Sequence, residues 1–371
     1  MSIPLNDLIR SLERMAPPMY AEPWDNVGLL FGSRDMTIDC AMLTIDLTEA
    51  IAREAVESGA QLIVSYHPIM FHPVQRITDD DPQGRMLLLI ANHGLAVYSP
   101  HTALDAAPNG VTDWLADAIG TGYRRALTPY EGLDRHRAFK VVTFVPAEHV
   151  ERVRDALATA GAGRIGEYEQ CSFQIDGTGT FRGREGTKPA IGQPDRLERV
   201  NEVRLEMVCP RATLHVLVQT LREFHPYEEP AFDLYPLQPA PDIDRGAGRK
   251  VTLDQAATVS EIADRLKAHL GIRTVKTTDL DRSVKSVGLV PGAGASLLDN
   301  AIAQDCELFI TGEMTHHQAL GAELRGCSVI LTGHTNSERG YLPILKRRLE
   351  AQSLDLDLFI SEVDRTRFQV F

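Results

Sequence analysis

The sequence predicts an α/β protein made of two related α/β halves, with a smaller ferredoxin-like α+β domain inserted between them. Three observations carry this expectation. Runs rich in Val, Ile and Leu alternate with helical patterns in the first and last thirds of the chain. The middle third instead follows the order β-α-β-β-α-β. The outer thirds also repeat short motifs in the same order. A chain of 371 residues is too long for one compact core, which fits several domains.

The opening "MSIPLNDLIRSLERMAP" spaces Ile3, Leu5, Leu8, Ile9, Leu12 and Met15 as one helical face. It carries acids and lacks a continuous apolar core, so a signal peptide is not expected there. In the first third "CAMLTIDLT", "QLIVSYHP" and "LAVYSPHT" read as strands, separated by the helical "EAIAREAVESG" and "GRMLLLIANHG". In the last third "VKSVGLVPG", "ELFITGE" and "CSVILTGH" are separated by "SLLDNAIAQD" and "HHQALGAELRG". Such alternation predicts βαβ units around a largely parallel or mixed sheet. In the middle, "AFKVVTFVP", "YEQCSFQID", "NEVRLEMVCP" and "AFDLYPL" are the strands, and "AEHVERVRDALATAG" and "RATLHVLVQTLREFH" the helices. The expected domains are residues 1–130, 138–237 and 245–371. "GTGTFRGREGTKPAIGQPDR" is expected as an exposed loop between the inner strands of the insert, and "QPAPDIDRGAG" as a linker after it.

Composition narrows the function. A formal net charge of -13 argues against general nucleic-acid binding, because a phosphate backbone would be repelled, and it attracts cations. Cys40, Cys171, Cys209, Cys306 and Cys327 are scattered, odd in number and without a C-x-x-C pair. That is neither a disulfide framework nor a thiolate zinc site, and it suits a reducing cytoplasm. No run approaches the ~20 apolar residues of a membrane span. A cytoplasmic protein is expected.

The chemistry concentrates at strand ends. "NVGLLFG" echoes "SVGLVPG", "AQLIVSYHPIMFH" echoes "CELFITGEMTHH", and "LAVYSPHTALD" echoes "SVILTGHTNSE". The echoes suggest a duplicated half, with chance similarity among short βα turns as the alternative, and each half supplies H-T-x-x-acid, His101 to Asp105 and His334 to Glu338. In open α/β sheets a ligand sits outside the carboxyl ends of the strands. Tyr66, His67, His72, His101, Asp105, Glu313, His316, His317, His334 and Glu338 all fall there. Imidazole and carboxylate donors without thiolate suit zinc, iron or manganese, one or two ions per subunit. Each motif also has a plainer reading. "SYHP" fits a histidine hydrogen-bonded at a strand end. "HTALD" fits a helix cap at Asp105, "GHTNSE" a cap at Asn336 or Ser337, and "GEMTHHQ" an exposed helix start. Their coincidence in both halves favours a metal site. "PGAGAS", residues 291–296, is a tight turn able to offer N–H groups to an anion, without the lysine of a P-loop. "FHPYEEPAFDLY" groups His225, Glu228 and Glu229, chiefly as a solvated connection closing the insert.

Together "WDNVGLLFG", "SYHPIMFHPVQRIT", "YSPHTALDAAPNGV", "VGLVPGAG", "ITGEMTHH" and "GHTNSERGYL" resemble the NIF-three-like family, whose bacterial members are often labelled GTP cyclohydrolase type-two-like. The resemblance covers essentially the whole chain, and the middle segment resembles a PII/CutA-like insert. It implies the NIF-three-like fold, a homohexameric ring and a dinuclear metal site in each subunit. It also implies His67, Asp105, His334 and Glu338 as metal ligands, with His101 and His317 lining the cleft and serving as catalytic acid or base. The chain departs at Tyr66, where many relatives carry a second adjacent histidine. A phenol titrating near ~10 is a poor ligand, so one metal is expected to bind tightly and a second weakly. Tyr66 would then orient a metal-bound water or pack against its loop.

Two functions follow. One is a metal-dependent hydrolase acting on a nucleotide or related heterocycle as its small-molecule substrate. The other is non-catalytic, a metal-delivery protein or a regulatory scaffold.

Overall fold

The computed structural model describes residues 2–132, 137–239, 241–352, 355–366 and 368. The chain divides into two compact units, Met1–Tyr130 with Asp242–Phe371, and Glu131–Pro241.

The first unit begins with β1 (Ile3–Pro4), α1 (Leu5–Met15), β2 (Gly28–Phe31), β3 (Thr37–Ile38), β4 (Cys40–Thr44), α2 (Glu49–Glu57) and β5 (Leu62–Ser65). It continues through α3 (Pro82–Asn92), β6 (Ala96–Ser99), α4 (His101–Ala106), α5 (Val111–Asp117) and β7 (Gly122–Tyr130). The second unit then contributes β8 (Phe139–Pro146), α6 (Val150–Thr159), β9 (Phe173–Arg182), β10 (Leu197–Cys209), α7 (Leu214–Phe224) and β11 (Phe232–Pro236). The chain returns through β12 (Asp242–Thr258), α8 (Val259–Leu270), β13 (Lys276–Thr277), β14 (Ser283–Leu289), α9 (Leu298–Ala303), β15 (Leu308–Thr311) and α10 (His316–Leu324). It closes with β16 (Ser328–Leu331), α11 (Asn336–Arg339), α12 (Leu342–Glu350) and β17 (Asp357–Ile360).

Two mixed sheets carry the first unit, ordered β17-β4-β5-β6-β2 and β13-β16-β15-β14-β12-β7. Within them β4, β5 and β6 are parallel neighbours, as are β14, β15 and β16. Each triplet carries an antiparallel edge beside its third strand, β2 on β6 and β13 on β16. This arrangement corrects one echo. "NVGLLFG" forms the antiparallel edge β2, whereas "SVGLVPG" forms β14, whose topological counterpart is β4.

Strands buried on both faces explain the continuous apolar runs. Leu43 and Val64 face a shared core with Val287, Leu289, Leu308, Ile310, α1 and α8. Their neighbours Met42 and Ile63 face Ile51, Met86 and Ile90 of α2 and α3. Residues one apart serve opposite faces, as a pleated strand requires. The helix predicted at the amino terminus buries Leu5, Leu8, Ile9 and Leu12, but Ile3 lies ahead of it in β1. No described helix is long and apolar enough to cross a membrane.

The expected linker at 238–248 is shorter than composition suggested (Ala240 lies outside the described residues). β12 starts at Asp242 and pairs with β7, Asp242 opposite Tyr130. Gly246 holds φ 135 at a register shift, where a Cβ would come within 2.1 Å of the Thr128 carbonyl. That glycine marks close backbone approach inside a strand rather than a flexible link. Arg249 fastens the same region. Its buried guanidinium donates to Asp113 at 2.6 Å and to the carbonyls of Gly246, Gly248, Ala106 and Ala107.

The second unit is a four-stranded antiparallel sheet ordered β11-β8-β10-β9, with α6 and α7 joined to it in one core containing Val145, Val153, Leu205 and Leu221. β9 extends to Arg182, so the first part of the expected loop is strand paired with β10. His225 is buried and bonds the Phe144 carbonyl at 3.0 Å, while its Nδ1 accepts from the Tyr227 amide. It closes the sheet rather than joining Glu228 and Glu229.

Candidate metal centre

Residues that follow β4, β5, β6, β14, β15 and β16 line one cleft of about 960 Å³. Asp46 comes after β4, Tyr66 and His67 after β5, and His101 and Asp105 after β6. Gly292, Glu313 and His334 with Glu338 come after β14, β15 and β16. The ladder continues past the strand ends and fixes these turns. Tyr66 donates its amide to Thr44 and His67 to Ile45, while in the other half Thr332 donates to Thr311 and Gly333 to Gly312. Ser99 and Ser65 add side-chain bonds to the carbonyls of Tyr66 and His67, both at 2.8 Å.

At the centre, one donor atom each from His67, His334 and Glu338 lies within 4.8 Å of the others. The two halves build this group alike. His67 presents Nδ1 to Asp46 at 2.9 Å, and His334 presents Nδ1 to Glu313 at 2.9 Å. A carboxylate on Nδ1 fixes the tautomer and directs Nε2 inward, as in carboxylate–histidine–metal arrangements. The Nε2 atoms stand 3.5 Å and 3.4 Å from the Glu338 oxygens Oε2 and Oε1. Those separations are long for hydrogen bonds, and Oε2 is buried with no hydrogen-bond partner. An orphaned buried carboxylate oxygen is costly unless something charged satisfies it. Gly292 roofs the group at φ 61, where a Cβ would fall 2.5 Å from Glu338 Oε1 and 3.2 Å from His334 Nε2. A cradle only glycine leaves open, ringed by two nitrogens and a carboxylate, fits a divalent ion.

Asp105 lines the same cleft but stands outside that group of three, its Oδ1 accepting from the Tyr66 hydroxyl at 2.6 Å. Burial, with Glu338 nearby, pushes the Asp105 carboxyl up to about 7 against the pull of His101 and Tyr66. Burial, then Asp105 and Glu338, hold the Tyr66 phenol well above its ordinary value, so it remains a donor. Burial disfavours a charge on His67, yet the hydrogen bond to Asp46 and the nearby Glu338 outweigh it and push the imidazole up to about 10. Asp105 caps no helix, and α5 has no side-chain cap.

His101 borders the group, its ring centroid 5.3 Å from that of His67. Its φ of 26 is rare for a residue with a Cβ. Asp25 holds it there, accepting from His101 Nδ1 at 2.8 Å, from the Thr102 amide at 3.2 Å and from the Thr102 hydroxyl. Burial would raise the Asp25 carboxyl, but His101 and Thr102 keep it below its ordinary value. His317 is elsewhere. It is exposed on the first turn of α10 behind a Thr315–Gln318 capping box, and it is not among the described residues lining the cleft. The exposed helix start is the reading that describes His316 and His317, and His72 is exposed as well. Sequence reasoning missed Asp25 and Asp46. Asp46 directly follows "LTI", the same strand-end position that singled out His67.

The Duf34/NIF3 (NGG1p interacting factor 3) family model matches residues 3–367. The chain belongs to the Duf34/NIF3 family. It is 35% identical over 366 residues, 97% of each chain, to a protein named GTP cyclohydrolase 1 type 2 homolog in Bacillus subtilis. A Mycobacterium tuberculosis protein of the same name is 36% identical over 327 residues, 86% of this chain and 84% of its own. Among solved structures, a Bacillus cereus protein related to NIF3 matches with a TM-score of 0.70 at 31% identity, over 99% of each chain. The Staphylococcus aureus protein SA1388 matches with a TM-score of 0.82 at 26% identity, over 100% of this chain and 99% of its own. The mixed α/β architecture of several sheets is thus a Duf34/NIF3 fold.

Proposed function

We propose that this Duf34/NIF3 protein is a metal-dependent hydrolase acting on a nucleotide or related heterocycle, with His67, His334 and Glu338 holding the ion. The observation that carries the reading is the buried Glu338 carboxylate, set 3.5 Å and 3.4 Å from two inward-facing Nε2 atoms, with no hydrogen bond made to Oε2. The donor set suits zinc, iron or manganese. Three protein donors leave a coordination position open, as catalytic rather than structural sites do. When bound, such an ion supplies Lewis acidity and lowers the pKa of water. Asp105, which the resemblance implied as a fourth ligand, stays outside these three donors in this reading and lines the same cleft, its Oδ1 held by the Tyr66 hydroxyl.

The remaining chemistry belongs to the chain. With Nδ1 engaged by Asp25, His101 offers Nε2 as its basic nitrogen. A proton taken there produces an imidazolium that Asp25 stabilises, so His101 acts as general base and then as general acid. Chelator-treated protein reloaded with zinc, iron(II) or manganese should be screened against nucleotides and pterins. Turnover that returns with metal and is lost in Glu338→Ala supports the reading. Reversible metal transfer without turnover would sink it and favour a metal carrier. We also read Glu131–Pro241 as a ferredoxin-like unit of the PII/CutA kind, supported by its strand order and its single core.

A further inference from the structure

We propose that the cleft receives a flat nitrogen heterocycle as the free ring or nucleoside, and discriminates against the nucleoside triphosphate. The inference rests on the hydrolase reading for its chemistry, but it concerns what the cleft holds. Its charged walls are acidic. Glu22, Asp46, Glu49, Asp105, Glu313 and Glu338 line it, and among the described lining residues there is no lysine or arginine. Phosphate clamps are built from arginine forks, lysines or free backbone amides. The nearby Arg53 and Arg85 are both held by Glu49, at 2.6 Å and 3.1 Å. The glycine-rich turn that could cradle an anion commits the Gly292 amide to Ser337 and the Gly294 amide to Thr311. Asp46 and Glu49 are already paired, with His67 and with Arg53 and Arg85, so what disfavours a triphosphate is the lack of an uncommitted cation among the described lining residues to receive it.

The rim offers the opposite chemistry. Trp24 and Phe71 are 62% and 47% exposed, and both line the cleft. Each stands edge-on to the His101 ring, with centroids 6.1 Å and 5.7 Å away. The loops that carry them are tied together, since Asn26 Nδ2 donates to the Met70 carbonyl at 2.6 Å. Two exposed rings flanking the proposed base form a stacking platform for a planar substrate, and the acidic wall favours ring N–H and amino groups.

The test uses the zinc-loaded full chain with guanosine and its 5′-triphosphate as probes. Binding is followed by calorimetry and by tryptophan emission, in which Trp24 is the exposed reporter and Trp114 is buried. Guanosine should quench the emission and bind at least about tenfold more tightly than the triphosphate. Trp24→Ala should weaken guanosine by about tenfold or more, as loss of a stacking surface does. Glu22→Lys should shift preference toward the triphosphate. Triphosphate binding as tight as guanosine, no guanosine binding, or unchanged affinity in Trp24→Ala would overturn the proposal. Tight guanosine binding without any turnover would instead remove the hydrolase reading and leave this inference standing.

Discussion

Gly292→Ala separates the geometry of the centre from ordinary backbone strain. The new Cβ would stand 2.5 Å from Glu338 Oε1 and 3.2 Å from His334 Nε2, so two donors must move or the turn must open. An L-residue at the φ of 61 found there also costs about 1–2 kcal/mol relative to glycine. For a body of this size each kcal/mol lowers Tm by about 2–4 °C. Gly271→Ala supplies the control. It holds φ 66 at the end of α8, and a Cβ there meets nothing within 4 Å. Both variants should therefore carry the backbone cost, Gly292→Ala losing more through its clash, while only Gly292→Ala loses zinc affinity, on the order of 10–100-fold as when ligands lose their supports. Thermal melts in chelator measure the first quantity, and competition against a fluorescent zinc chelator measures the second. Unchanged zinc affinity in Gly292→Ala, or equal losses in both variants, would refute the reasoning.

Asp25→Asn should leave bound zinc in place and lower kcat by about 10²–10⁴, because the imidazole of His101 loses its fixed tautomer; loss of zinc would show that Asp25 supports the metal instead. Tyr66→His should raise the metal stoichiometry by elemental analysis, whereas Tyr66→Phe should keep the tight ion, and equal tight binding of two ions by the parent would contradict the ligand argument. Arg249→Ala removes the charge partner of Asp113 and a donor from four carbonyls, so urea unfolding should show a loss of about 3–5 kcal/mol, and a variant as stable as the parent would mean those groups are satisfied without it. Tyr130 and Asp242 are paired across β7 and β12, so a short turn replacing Glu131–Pro241 should leave the first unit folded with its zinc affinity intact; joint loss of cooperative unfolding and of zinc would refute this.

Strand ends were the legible part of the site. Val64, Ile310 and Ile330 lie in short apolar runs alternating with helical patterns, which read as buried strands of a parallel or mixed sheet, so the polar residues just beyond them fall at strand ends. The partners were harder to see. Asp46 and Asp25 are single carboxylates distant in sequence from the histidines they hold, and only the fold brings each to an imidazole nitrogen. Gly292 and Gly246 have a common limitation. Composition marks a glycine as a turn or linker, whereas its role here is set by atoms distant in sequence, the Glu338 carboxylate and the Thr128 carbonyl. His317 shows the reverse difficulty. It adjoins a strand-end motif, but Thr315 starts a helix there and carries His317 to the surface.

Anomalous diffraction at the zinc edge, from crystals of the full chain grown with zinc, tests the centre most directly. A peak is expected bonded to His67 Nε2, His334 Nε2 and the Glu338 carboxylate at about 2.0–2.2 Å. Zinc found instead at the exposed His316 and His317, or no zinc between the two Nε2 atoms, would contradict it.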